Sequence, residues 1–159
     1  MKSLDDEEFW NSDEVRAHIA RTFISFEQDI RKNPESDIWD YSSEIIECFQ
    51  ESTPLGVSTI LLPHFLNLAE NASSKQKLQI LTLLCDWLAS SHHWLSLSDE
   101  SVYFSKRKFL AEFKQALDSN LLNLDHSGHR LSFFKGMSVV CGDLPLASKL
   151  LDLENKLLS

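Results

Sequence analysis

Apolar residues along this chain recur at helical spacing almost from end to end, so the pattern predicts helices throughout. Val15, Ile19, Phe23, Phe26 and Ile30 form the first apolar face. That run follows Asn11 as cap, with Glu14 three residues on completing a capping box. Asn33-Pro34 stops it, because proline cannot continue the hydrogen-bond ladder. A second helix is expected from Ser36 or Asp37 to Pro54, with Ile38, Tyr41, Ile45 and Phe49 facing inward. Thr53 as cap and Pro54 at the first position open a third, which carries Ile60, Leu61, Phe65 and Leu68. Pro63 removes the bond to the Thr59 carbonyl, which predicts a kink or a break there. Ser73 and Gln76 form another capping box before a fourth helix, whose inner face is Leu78, Leu81, Cys85 and Leu88.

Residues 90–100 lose the period and are the longest candidate loop. A fifth helix is expected from about Ser101 to Asn120, with Val102, Phe109, Phe113, Leu117 and Leu121 inward. A sixth runs from about His129 to Cys141, and Gly142 suits the position just past its end. Leu146, Leu150, Leu153 and Leu157 then give an i, i+4, i+7, i+11 face, read as the buried side of a seventh helix. The expected fold is all-α: about seven helices in antiparallel hairpins, either a short α-solenoid or a helix bundle. The run Leu61-Leu62-Pro63-His64-Phe65-Leu66-Asn67-Leu68-Ala69-Glu70, followed by Lys77 through Leu88, resembles a HEAT-like helical hairpin of bacterial proteins. Arg130 through Asp152 resembles the last unit of such an array, which implies the solenoid.

Composition agrees with helices. Leucine dominates the apolar set, β-branched runs are nearly absent, and four Gly and four Pro leave little turn chemistry for a β fold. A length of 159 residues suits a single helical domain over 1–159, with residues 1–10 read as a frayed acidic leader. The charged N-terminus does not read as a signal peptide, and no apolar stretch reaches the ~20 residues of a membrane span. Cys48, Cys85 and Cys141 are odd in number and lie among apolar residues, which suggests reduced thiols in a cytoplasmic protein.

Charge changes the picture most. Residues 1–53 hold 14 Asp/Glu against 5 Lys/Arg, a balance of −9, while residues 54–159 hold 10 of each. Asp37, Asp40, Glu44, Glu47 and Glu51 are spaced 3, 4, 3, 4 and would form one stripe within roughly an 80° arc of the second helix. A solvated face is the plain alternative. Against it, like charges at this spacing repel, Glu47 and Glu51 would lie near a helix C-terminus, and no Lys or Arg occurs between Lys32 and Lys75. A face that costs local stability is a candidate binding surface for a basic protein, and its charge argues against direct nucleic-acid binding. Trp39, at the edge of the second helix's apolar face, and Trp94, in the long loop beside His92 and His93, are candidate aromatic anchors.

No catalytic motif competes with this reading: there is no nucleophile elbow, phosphate-binding loop or His-Glu-x-x-His. Asp125, His126 and His129 are too few for a metal site and read as a turn and helix start, so neither metal nor cofactor is expected. Lys106-Arg107-Lys108 with Lys114 reads as a solvated basic face. In size, acidity and helical-hairpin texture the chain resembles the helical immunity proteins of bacterial toxin systems, including contact-dependent growth inhibition. That resemblance implies neutralisation of a cognate basic toxin, often a nuclease, by occlusion of its active or binding surface. The alternative is a helical-repeat adaptor that holds a peptide or subunit, with the acidic face aiding solubility.

Overall fold

The structure, a computed structural model, describes residues 6–41, 43, 55–90, 106–123 and 127–159. Among these residues every regular element is helical, and the fold is all-α. In chain order the elements are α1 (Glu7–Trp10), α2 (Glu14–Lys32), a 3₁₀ turn (Ile38–Tyr41), α3 (Leu55–Asn71), α4 (Ser74–Ser90), α5 (Lys106–Asn120), a second 3₁₀ turn (Leu121–Asn123), α6 (Ser127–Val140) and α7 (Leu144–Leu158). The described residues divide into two compact units, and the division falls within α4 after Lys77.

In the first unit Ile19, Phe23, Phe26 and Ile30 of α2 are all buried, as their spacing predicts. The Phe23 ring meets Phe65 of α3 edge-on at 4.7 Å, and Phe26 meets Tyr41 edge-on at 5.8 Å. Such ring pairs add to the area they bury. Of the kink or break expected at Pro63, the break does not occur: α3 continues through it. Leu61, Phe65 and Leu68 are buried on that helix. Burial of each contributes roughly 1.5–3 kcal/mol, which together outweighs the ~3 kcal/mol penalty of an internal proline.

The cap of α2 also differs from expectation. Asp13 accepts a bond from Arg16 N at 3.2 Å, and its carbonyl accepts from Ala17 N. Asn11 closes α1 instead, donating its N–H to the Glu7 carbonyl. The acidic leader thus contains a helical turn, capped by Asp6, which accepts from Phe9 N at 2.9 Å, and ending in the buried Trp10.

In the second unit Leu81, Cys85 and Leu88 of α4 are buried, and Phe109, Phe113 and Leu117 form the inward face of α5. The described part of α5 begins at Lys106, and Leu121 falls in the 3₁₀ turn that follows. Gly142 has φ +77° and ends α6: its N–H reaches the Val139 carbonyl, and Asp143 N reaches the Ser138 carbonyl. This is a Schellman closure, and only glycine takes its backbone at no steric cost. Asp143 then caps α7 by accepting from Leu146 N. The tight turn folds α7 back on α6 as a helical hairpin.

The face of α7 differs from expectation. Leu146, Leu153 and Leu157 are 44%, 47% and 70% exposed, while Ala147 is fully buried. The inward side also carries Glu154 and lies roughly 100° around the helix from the leucines. The reason is Lys135 on α6, whose side chain is 1% exposed and bonds to Glu154. A buried ammonium is costly unless well paired, and Glu154 adds a second carboxylate to that of Asp86, so the helix turns Glu154 inward and leaves its leucines exposed.

Candidate functional site

The acidic segment after α2 is held by the start of α4. Ser73 accepts from Gln76 N at 3.3 Å, as a capping box requires, and its hydroxyl donates to the Pro34 carbonyl at 2.8 Å. The Gln76 side chain does not complete the box. It is buried and donates to the carbonyls of Asn33 at 2.8 Å and Ser36 at 3.2 Å. Lys75 Nζ donates to the Glu35 carbonyl at 3.1 Å and lies 3.1 Å from Asp37 Oδ1. Three residues of one helix turn thus fasten residues 33–37, satisfying backbone groups that the end of α2 leaves without a ladder.

The turn that follows is short. Where an α-helix from Asp37 onward was expected, Ile38–Tyr41 is 3₁₀, entered by a bond from Asp40 N to the Asp37 carbonyl at 3.2 Å. Ile38 is fully buried and anchors it, and Tyr41 packs on Phe26. Asp37 precedes the turn and is half-buried, with Lys75 at its carboxylate. Asp37 and Asp40 therefore do not share an α-helical face. Trp39 is 41% exposed and Asp40 is exposed, side by side on a tied backbone. Glu44, Glu47 and Glu51 of the stripe, and Trp94, lie outside the described residues. So do Cys48, His92, His93, Asp125 and His126.

A second cluster was not foreseen. Lys135 Nζ donates to Asp86 Oδ1 at 2.7 Å and to Glu154, and the Ser132 hydroxyl donates to the same Asp86 oxygen at 2.9 Å. Burial alone pulls the Lys135 pKa down. The hydrogen bonds and charges of Asp86 and Glu154 outweigh it and hold the ammonium above the ordinary lysine value. The neighbouring Cys85 thiol is pushed well up, by burial first and then by the Asp86 charge. Lysine in this state is no general base near neutral pH, Ser132 is 2% exposed, and Cys85 is held as the inert thiol. The arrangement neutralises a buried charge rather than presenting a nucleophile. The only advance signal was the carboxylates themselves, since their lysine lies 49 and 19 residues away in sequence.

Among the described residues no group of three His, Cys, Asp or Glu is placed to hold a metal ion. Among the same residues no helix is long and apolar enough to cross a membrane. Compared with protein-family models, with curated proteins and with solved structures, the chain matches none.

Proposed function

We propose that this chain is a small acidic binding protein that neutralises a basic protein partner, in the manner of an immunity protein acting on a cognate toxin in the cytoplasm. The observation that carries the reading is the tied 3₁₀ turn. Its buried Ile38 and the bonds from Ser73, Lys75 and Gln76 fix the backbone, and Trp39 and Asp40 project from it. A tryptophan beside a carboxylate on a tied backbone is the chemistry of an interface anchor, because little backbone freedom is lost on binding. The carboxylates of residues 1–53 add a field of one sign, which steers a basic partner toward the turn. Occlusion requires no chemistry of the chain itself: carboxylates occupy the cationic surface that the partner would offer to its own anionic substrate.

The test is capture from source-cell lysate at low salt by wild type, by Trp39→Ala/Asp40→Lys and by Glu44→Lys/Glu47→Lys. The reading expects one basic protein, held by wild type and lost from both variants, whose activity the wild type inhibits at equal stoichiometry. Equal retention by all three would remove it.

A further inference from the structure

The hairpin of α6 and α7 carries an apolar surface that has no place in the turn described above. A groove of about 420 Å³ opens on it, lined by Phe134, Met137, Cys141, Leu146 and Leu150. The stripe continues along α7 through Leu153 and Leu157. Phe134 is 56% exposed, and three of the four leucines are exposed by 44% to 70%. We propose that this face is the contact between two copies of this chain, packed with their α7 helices side by side and parallel.

Three observations select a second copy as the occupant. The first is spacing. Leu146, Leu150, Leu153 and Leu157 repeat at 4, 3, 4, which is the seam of a two-stranded coiled coil over two heptads. Such a seam is complementary to itself. The second is charge at its rims. Lys149 and Lys156 flank one side of the leucines and Glu154 the other. A parallel pair sets Lys149 of one copy beside the 20% of Glu154 that the other leaves exposed while holding its own Lys135, five residues on, and does so twice about the two-fold axis. An antiparallel pair would bring Lys149 against Lys156 and is disfavoured. The chain's net charge of −9 does not oppose the contact, because residues 78–159 hold nine Asp/Glu against eight Lys/Arg. The third is area. The exposed parts of these side chains amount to on the order of 500 Å² per copy, which an isologous contact doubles to the roughly 1,000 Å² of a specific interface. An apolar patch of this size is also at the upper end for a monomer.

The inference does not rest on the binding reading of the acidic turn, and its test is separate. Sedimentation of the full chain is followed from micromolar to submillimolar concentration, for wild type, Leu153→Glu/Leu157→Glu and Lys149→Glu. Wild type is expected to rise from 18.2 kDa toward twice that mass. The leucine variant is expected to stay monomeric with an unchanged circular-dichroism melt, since both positions are half or more exposed to solvent. Lys149→Glu, an exposed position that keeps every leucine, is expected to weaken association about tenfold or more by setting like charges together. A wild type that stays monomeric throughout, or either variant associating as wild type does, overturns the proposal.

Discussion

Lys75 Nζ lies 3.1 Å from Asp37 Oδ1, across 38 residues of sequence, and the same ammonium donates to the Glu35 carbonyl. Asp37, the first carboxylate of the predicted stripe, is therefore part of what holds the segment in place. Both side chains are 48% exposed, so the pair itself contributes little to global stability. Lys75→Met is expected to change the unfolding free energy by less than about 1 kcal/mol. Amide exchange over residues 35–40 should nonetheless accelerate; unchanged exchange would mean that the pair does not hold the turn.

Gln76 holds the same loop from the buried side. Gln76→Ala leaves the carbonyls of Asn33 and Ser36 without their donor and is expected to cost about 1–3 kcal/mol in denaturant unfolding. Because Gln76 is buried, it cannot touch a partner. Any weaker partner binding by this variant would report on the order of the turn alone. A cost under about 0.5 kcal/mol would contradict the tethering role.

Gly136 of α6 packs against Cys85 of α4. A Cβ built there would come 2.5 Å from Cys85 Sγ and 3.0 Å from Cys85 Cβ. Gly136→Ala gains about 1 kcal/mol of helix propensity, but overpacking of this kind typically costs 1–3 kcal/mol or more. The variant is expected to be less stable than wild type. Cys85→Ala should recover part of the loss by removing the sulfur, which a double-mutant cycle would read as a coupling of the two positions. Additive effects would mean that the helices separate instead.

The Lys135 cluster sets the response to alkali. The Lys135 pKa is raised in the folded protein, so its stabilisation is complete below the unfolded value near 10.4 and is lost as pH rises through the folded one. The raised Cys85 thiol acts in the same direction: the unfolded chain releases that proton first, and stability begins to fall above about pH 8.5. Denaturant midpoints are expected to be lower at pH 10 than at pH 7, and Cys85→Ala should flatten the early part of that fall. Lys135→Ala at pH 7 is expected to cost about 1–3 kcal/mol, because it leaves the part-exposed carboxylates of Asp86 and Glu154 without their shared ammonium. A flat profile to pH 11 would contradict the assignment.

How far the sequence foretells this molecule depends on how local each signal is. The apolar faces of α2, α4 and α5 follow directly from spacing, because Phe23, Phe26, Cys85, Phe113 and Leu117 have no competing demand. The end of α6 was legible for the same reason, since Gly142 supplies a conformation other residues avoid. The orientation of α7 was not. Leucine spacing points one way, but the buried Lys135 requires Glu154, and a charge outweighs a stripe of half-exposed leucines. Residues 37–51 keep helical spacing, which predicts one acidic helical face, whereas Lys75 and Gln76, distant in sequence, hold residues 33–37 as loop, and a 3₁₀ turn follows. Trp39 and Asp40, named from sequence, are both at the surface.

The central claim is that Trp39 and Asp40 form a fixed contact point for a basic partner. The most direct measurement is the dissociation constant of the captured partner for wild type, Trp39→Ala and Asp40→Lys, each across a salt series. The account predicts that Trp39→Ala loses about 2 kcal/mol or more of affinity at every salt concentration. It predicts that Asp40→Lys loses most at low salt and also flattens the salt dependence. Affinities within twofold of wild type for both variants, at all salt concentrations, would contradict it.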